Sequence, residues 1–554
     1  MGVTRRELGM LAAGGVLGAA CGASKEAVVP PDPRAGKRGL PATCPAVTHR
    51  VELLSSFDGM HQEMADVYHP ASEQQLSELL KCIPAGRSVT LRGGGQSLDC
   101  QSLNGDIVVR LDDAAFTHIH EPSPKPDDEG YYITTGAGAT WWDVLAKVAP
   151  LGLVPPSLAT ANAATVGGTL SADCVSRTSC VHGKEGNQIR SFKLVRADGK
   201  IMTLCRHDPD PENKALFRAV IGGFGYLGAV TEVTFDLVPA RSEPGICKAP
   251  PTVFTRSTRH GANADWDSLL TCLRTRALGT RQRFDEARAR SRGQGENQFA
   301  AAPEWSGLSI ASFLSASGMS ANLLEQRFTD PQPLRRAPGG VYDKDSTLPG
   351  NAALMQSDIP TWIEVALQTG FPAGEFVDEL FGWAFFLGNH TRQAKRLAAK
   401  RGDHANFFQQ SFALPAGCDD AKTDTRYIRR FIEILEARLH AIDKRPATID
   451  FLYIPADDFL MSASRNFPSF VVTVSFGDTN QPKVPEQMDD FFRTLSHDCL
   501  TLGGKVHLVK NVIAERADLR AMHGDAAQEF KLLKAKYDPN QLFKNAFFSN
   551  VFDA

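Results

Sequence analysis

The chain has 554 residues, 42% of them apolar, enough to bury a large core and to divide into two or more domains. Its 60 Lys and Arg are offset by 63 Asp and Glu, a formal net charge of -3. That balance excludes an electrostatic grip on nucleic acid as the organising function.

Thr4-Arg5-Arg6-Glu7-Leu8 sets paired arginines before an apolar, glycine-rich stretch from Leu8 to Ala20. This stretch is too short for a spanning helix and fits a secretory h-region; the arginine pair points to the twin-arginine route over an ordinary Sec signal. Leu17-Gly18-Ala19-Ala20-Cys21 has the form of a lipoprotein cleavage box with Cys21 as the acylated residue, although Gly18 departs from the usual pattern and plain cleavage near Ala20 is the alternative. Residues 1–24 are therefore expected to be a signal peptide. The protein would be periplasmic or anchored to the membrane by a lipid on Cys21. Residues 25–49, rich in Pro, Gly and Lys, read as a flexible tether. The 11 cysteines are scattered, with no C-x-x-C pair and no zinc-like cluster, so no metal site is expected. Cys174 and Cys180 either pair in an oxidising compartment or stay as buried thiols.

From about Val51 the pattern alternates between strands and helices. Ser72-Glu73-Gln74-Gln75 opens a helix with a capping box, and Leu76, Leu79 and Leu80 form its apolar stripe. Val89-Thr90-Leu91 is a short strand that runs into Arg92-Gly93-Gly94-Gly95-Gln96-Ser97, and a second strand follows at Ile107 to Leu111. Three glycines leave bare N–H groups that can wrap a pyrophosphate, with Arg92 adding charge. The loop is neither a Walker loop, since no Gly-Lys-Ser/Thr follows, nor a Rossmann turn, since a strand and not a helix comes next. Tyr131 to Thr135 is a strand, and Thr140-x-x-Asp143 caps a helix that buries Trp141, Leu145 and Val148. Ala164 to Leu170 is dense in small residues and allows close backbone approach to something flat. A hairpin turns at Asp198-Gly199, Leu216 to Ile221 is helical, Gly222 to Gly228 is glycine-rich, and Ala229 to Leu237 is a strand.

Four landmarks in order, Arg92 to Ser97, Ala164 to Leu170, His182-Gly183-Lys184 and Gly222 to Val230, together resemble the vanillyl-alcohol oxidase / p-cresol methylhydroxylase type of FAD-binding domain. The likeness covers roughly Tyr68 to Pro239, with an echo at Tyr537-Asp538-Pro539-Asn540-Gln541-Leu542-Phe543. It implies an α+β fold: a two-part FAD-binding domain over 50–240, a substrate domain over 241–502 with an antiparallel sheet covered by helices, and a segment, 503–554, returning to the flavin. FAD contacts are implied for Arg92, Gly93, Gly94, Gly95, Gln96, Ser97, Leu98, Gly136, Pro156, Ser157, Thr160, Thr165, Gly167, Gly168, Ser171, Ala172, His182, Gly183 and Val230. Many relatives bind FAD covalently through a histidine where this chain has Gln96, and Ser157 to Ala163 holds no cysteine for a second link. The FAD is therefore expected to be non-covalent.

Thr165 to Gly183 is similar to cytokinin dehydrogenases, yet Thr160 stands where those enzymes carry a catalytic aspartate, and a threonine cannot take a proton from an amine at neutral pH. His182-Gly183-Lys184 is similar to decaprenylphosphoryl-ribose oxidases, and Gly503 to Lys510 to the glycine-led strand of those enzymes and of aldonolactone and alditol oxidases. The likeness implies Lys510 as the catalytic residue with His507 beside it, and His182 and Lys184 near the flavin. Strict strand alternation puts residues 507 and 510 on opposite faces, so both reach one site only if the strand ends or bulges near Val509.

In the middle of the chain, Arg274 to Gln298 reads as a solvated helical face or loop, and strands recur at Ile449 to Ile454 and Phe470 to Phe476. Phe381 to Phe386 reads as core ahead of a pocket wall, and His390, His404 and Tyr453 as structural residues ahead of pocket residues. The expected chemistry is oxidation of an alcohol carbon of a sugar, aldonolactone, polyol or glycolipid by hydride transfer to flavin N5, with oxygen or another carrier as acceptor. A depressed Lys510 pKa would come from burial beside Lys184 or His182; with Lys510 protonated instead, His507 or His182 would be the base. Sterol- or amine-directed oxidation, or a non-catalytic FAD-binding lipoprotein, are the competing readings.

Overall fold

The computed structural model describes residues 39–553 apart from 125–126, 128, 158–162, 241–250, 261–263, 294–306, 316–317, 330–373, 380–404, 418–423, 443–445, 447 and 480–485. The signal-peptide and Cys21 readings, Thr160, Phe381 to Phe386, His390 and His404 lie outside the described residues.

The first segment runs β1 (Thr48–Ser55), β2 (Gln62–His69), α1 (Glu73–Cys82), β3 (Val89–Leu91), β4 (Ile107–Val109) and α2 (Ala114–Thr117). Its sheet has the order β1-β2-β4-β3, with β4 parallel to both β2 and β3. The Ser72 hydroxyl accepts from Gln75 N at 3.1 Å, and the Gln75 side chain reaches back to Ala71 N at 2.6 Å. The cap therefore closes one residue further out than an ideal capping box. Residues from Leu40 onward do not behave as a tether: Leu40 and Val47 pack with Leu76 and Leu79, and a disulfide joins Cys44 to Cys82. Cys174 and Cys180 are free thiols.

The second segment comprises β5 (Tyr131–Gly136), α3 (Trp141–Val148), β6 (Leu153–Val154), α4 (Val166–Ala172), α5 (Ser179–His182), β7 (Ile189–Val195), β8 (Ile201–Cys205), α6 (Pro211–Val220) and β9 (Ala229–Pro239). These strands form the sheet β5-β9-β7-β8, with β6 pairing on β9. Thr140 caps α3 by accepting from Asp143 N at 3.2 Å. Trp141 is fully buried against Phe235 and donates its indole N–H to Thr169 Oγ1 at 2.9 Å, so the Trp pair is core and not a stacking platform.

Next come β10 (Thr252–His260), α7 (Trp266–Gly293), β11 (Gly307–Ser315), β12 (Gly318–Thr329), β13 (Gly374–Glu379), β14 (Ala405–Pro415), α8 (Arg426–His440), β15 (Thr448–Ile454), β16 (Ser469–Thr479), α9 (Glu486–Thr501) and β17 (Lys505–His507). The eight strands form one antiparallel sheet in the order β13-β10-β12-β11-β15-β16-β14-β17. One face is apolar. Ile310, Phe412, Ile449, Phe451 and Val472 pack there with Leu270 of α7, Phe431 of α8 and Phe492 of α9. Arg274, expected on a solvated face, is 1% exposed, with its guanidinium over the ring of the buried Tyr453. The other face differs: Asn322, Ala311, Asp450, Thr473, Ser411 and His507 are successive cross-strand partners in one row. All but Ala311 are polar.

The chain ends with α10 (Arg516–Tyr537) and α11 (Ala546–Val551). Between them the Tyr537 to Phe543 stretch lies beside β3, with Val89 N donating to Leu542 O at 2.7 Å. Asp538 accepts from Leu542 N and Phe543 N at 2.8 Å each, and Lys534 ties Asp538 to the Tyr226 and Phe543 carbonyls. The C-terminus thereby braces the strand that feeds the glycine loop.

Candidate active site

Beyond β3 the chain cannot continue in the sheet. A Cβ on Gly93 would come to 2.2 Å from Thr165 Oγ1, and one on Gly94 to 1.7 Å from Ala163 O. The loop is pressed against the segment leading into α4, and only glycine allows that approach. Behind it, Arg92 is nearly buried and donates to Ser55 O at 2.8 Å and Ser102 Oγ at 3.0 Å. Burial, helped by Arg110, pulls the Arg92 pKa down to about 10, so it stays charged at neutral pH. Among the described residues, none of the main-chain N–H groups of Gly93 to Leu98 is taken by a hydrogen bond. They remain free to hold an anion.

Opposite stands α4. Thr165 caps it, accepting from Gly168 N at 3.2 Å. A Cβ on Gly167 would come to 2.7 Å from Ala137 Cβ, while Gly168 is exposed toward the cleft. Between loop and helix lies a cavity of about 600 Å³, within the range of small-molecule and cofactor pockets. Gly93 to Leu98 line one part, Thr165, Gly168, Ser171 and Ala172 another, and Cys174, Val175, Val509 and Lys510 a third.

Lys510 enters from the end of β17. The strand stops at His507 and turns through Leu508 to Lys510, which meets the condition for escaping strict alternation. Gln101 Nε2 donates to Lys510 O at 2.9 Å, Asn511 Nδ2 to Asp58 Oδ2 at 2.7 Å and Leu98 O at 2.9 Å, and Asn511 N to Gln409 O at 2.8 Å. Burial lowers the Lys510 pKa from its ordinary value, opposed by Cys174 and Asp450. Neither Lys184 nor His182 causes the depression, contrary to expectation.

Residues 65–204 match a family described as FAD binding domain, and residues 406–551 a family described as D-arabinono-1,4-lactone oxidase. The chain carries an FAD-binding domain of the p-cresol methylhydroxylase type, with FAD as its cofactor. Among its relatives are cytokinin dehydrogenase 5 of Arabidopsis thaliana, 31% identical over 184 residues (32% of this chain, 33% of the relative), and cytokinin dehydrogenase 8 of Oryza sativa subsp. indica, 33% identical over 182 residues (31% and 34%). The chain thus spans about a third of the length of the curated relatives it matches. The cleft fits FAD: it offers a glycine cradle that side chains would fill, unspent N–H donors for the pyrophosphate, and room for an extended ligand.

The cleft gathers Arg92 to Leu98, Thr165, Gly167, Gly168, Ser171, Ala172, Val230 and Lys510. Seven other expected residues among those described lie outside it. Gly136 ends β5 under the Phe116 backbone, with Gly138 taking its place at the wall. Pro156 and Ser157 are buried, Ser157 in a hydroxyl cluster with Ser176 and Ser179. Gly183 terminates α5, and its side would strike Asn187. His182 stands edge-on to the Phe284 ring of α7, turned to packing and not to the cleft. Lys184 is also displaced from its expected role. It is 1% exposed, paired with Asp173 and with Asp457 at 3.2 Å, and donates to Ser462 at 2.7 Å. Its ammonium is consumed by a buried ion cluster.

His507 is buried, lies outside the cleft lining, and carries an Nδ1 without a hydrogen-bond partner among the described residues. Burial first, then Lys184 and Lys510, hold its pKa well below the ordinary histidine value, so the ring is neutral. Sequence reasoning missed Gln101 and Asn511, which set the Lys510 turn, and Asp450, a buried carboxylate coupled to both Lys510 and Arg177. Gln and Asn in loops carry no periodic signal; Asp450, a lone charge inside the Ile449 strand, was the visible clue.

Proposed function

We propose that this oxidoreductase oxidises an alcohol carbon of a polar, hydroxyl-rich substrate such as a sugar, aldonolactone, polyol or glycolipid. The carrying observation is the polar row Asn322, Asp450, Thr473, Ser411 and His507 on the sheet face that Val175, a cleft residue, packs against. Ser411 and Thr473 satisfy each other at 2.7 Å, but Asn322 Oδ1 and His507 Nδ1 have no partner among the described residues, and a sterol would offer them none, at roughly 1–3 kcal/mol each. FAD held by Gly93 to Leu98, Thr165 and Gly168 would supply the hydride acceptor for the substrate carbon. Lys510, with its pKa depressed by burial, either takes the hydroxyl proton or stabilises the charge that develops as the proton leaves. Neutral His507, buried outside the cleft lining, is not placed to take that proton directly.

FAD is held without a covalent bond, since Gln96 spends its amide on Gly94 O at 3.0 Å and offers no nucleophilic nitrogen. The protein is exported by the twin-arginine route, and is periplasmic or held at the membrane by a lipid on Cys21; the Cys44–Cys82 disulfide favours an oxidising compartment. Oxygen or another carrier reoxidises the flavin. An amine-directed reaction is the second reading, favoured by the cytokinin dehydrogenase names of the relatives.

The test is anaerobic flavin bleaching of purified protein against sugars, aldonolactones, alditols, sterols and cytokinins. Bleaching by a hydroxyl-rich compound, slowed about 100- to 10,000-fold in Lys510→Ala, supports the proposal. Bleaching by sterol or cytokinin alone, or an unslowed variant, overturns it.

A further inference from the structure

We propose that His118, His120 and Glu232 form a binding site for a divalent transition metal of the zinc class, spanning β5 at Gly136 and separate from the redox chemistry. The three ligand atoms lie within 4.8 Å of one another. Their convergence follows from the backbone. Residues 118–120 run as an added strand along the free edge of β5, with Gly136 N donating to His118 O at 2.8 Å and His120 N to Thr134 O at 3.0 Å. Alternate residues of an extended segment face one way, so His118 and His120 share a side.

Across β5, Gly136 is the direct partner of Glu232 on β9. With no side chain at 136, His118 Nε2 reaches over the strand to 3.3 Å from Glu232 Oε2. The glycine is enforced, since a Cβ there would lie 2.0 Å from Phe116 O.

The proton placement on His118 points to a cation. Its Nδ1 lies 3.1 Å from Ala115 O, a carbonyl that can only accept, so Nδ1 carries the hydrogen. In the uncharged tautomer that this bond selects, Nε2 presents a lone pair. That atom is buried and makes no hydrogen bond among the described residues, although Glu232 is close. A lone pair facing a carboxylate needs a positive charge between them, and an imidazole whose second nitrogen donates to a carbonyl is the usual form of a metal ligand. Lys193 lies 3.2 Å from Glu232 Oε1 and leaves Oε2 to the site. Two imidazoles and one carboxylate suit zinc, with the exposed side of His120 leaving a position for water. Thr117, next to His118, lines the cofactor cleft, so the metal would clamp one cleft wall to the sheet.

The test is calorimetric titration of chelator-treated, FAD-loaded protein with Zn²⁺, beside His118→Ala, His120→Ala and the control His207→Ala. The proposal expects about one equivalent bound by parent and control, with binding lost in both site variants. Should His118→Ala fail to fold, His120→Ala decides, because that ring is exposed and its removal leaves the backbone pairing intact. Equal binding by parent and His120→Ala would assign the zinc to other surface groups and overturn the site. No binding by the parent would mean that a proton alone, as imidazolium, sits between His118 and Glu232, and would overturn it equally.

Discussion

Replacing Lys184 by Ala separates a structural lysine from a catalytic one. Lys184, Asp173 and Asp457 are 1%, 3% and 1% exposed, and Ser462 and Gly186 N supply further hydrogen bonds at 2.7 and 3.0 Å. Burial works against the Lys184 charge, but the two carboxylates outweigh it and hold the ammonium above its usual range. Removing it leaves two buried carboxylates facing each other with no cation, and breaking such a cluster costs about 3–5 kcal/mol. For a cooperative unit of about 500 residues, with an unfolding entropy of roughly 1 kcal/mol/K, that corresponds to a Tm lower by about 3–5 °C. Asp173 directly precedes Cys174 in the cleft wall, so FAD affinity falls too. Lys184→Met combined with Asp173→Asn and Asp457→Asn removes all three charges and recovers most of the loss. Differential scanning fluorimetry, FAD titration and the rate of flavin reduction at saturating FAD are the readouts. A variant with parental Tm and FAD affinity but collapsed flavin reduction would refute the structural assignment and return Lys184 to the chemistry.

Gly94→Ala should yield protein that no longer retains flavin, because its methyl group would sit 1.7 Å from Ala163 O; the ratio of visible flavin to protein absorbance checks this. Cys44→Ser should cost about 4 kcal/mol by loop-closure entropy over a separation of 38 residues, read as a lower denaturant midpoint that reductant reproduces in the parent. His523, held by burial at a pKa of about 4 against 6.5 unfolded, binds its proton more readily in the unfolded chain. Stability is then full above about pH 6.5 and declines by about 3 kcal/mol as pH falls toward 4, a slope that urea titrations should find shallower in His523→Gln. His507 is depressed in the same direction and adds to it.

What could be read from the sequence is what glycine and capping patterns encode locally. Gly93 to Gly95 and Gly167-Gly168 mark places where backbones touch, and the structure brings those two stretches together as the cradle. Ser72 and Thr140 announced their helices for the same local reason. Contacts between distant segments were not legible. Asp457 is far along the chain from Lys184, so nothing near His182-Gly183-Lys184 revealed that the lysine was already neutralised. Cys44 looked like part of a tether because its partner, Cys82, closes a helix whose packing cannot be seen in a run of Pro and Gly. Arg274 read as solvated because its burial depends on the ring of Tyr453, which arrives from another strand.

The Lys510 turn shows why both halves of the chain are needed for one site. A flavin cradle built from residues 92–98 and 163–172 could form without the eight-stranded sheet, yet it would contain no lysine. Lys510 reaches the cleft because β17 pairs with β14 only as far as His507, freeing the backbone to turn. Asn511 then fixes where the turn goes: its side chain donates to Asp58 and Leu98 on the flavin side and accepts from Gln409 N at 3.0 Å on the sheet side, where its main chain also bonds Gln409 O. Asn511→Ala would remove the three side-chain bonds and keep the main-chain one. It should therefore lower flavin reduction through misplacement of Lys510 while leaving the Lys510 side chain itself, and the FAD content, in place. Losing these three side-chain hydrogen bonds costs about 1–3 kcal/mol of positioning, or roughly a 5- to 150-fold slower reduction. If Asn511→Ala instead loses FAD but reduces at the parental rate once reloaded, the turn belongs to cofactor retention and Lys510 is held by β17 alone.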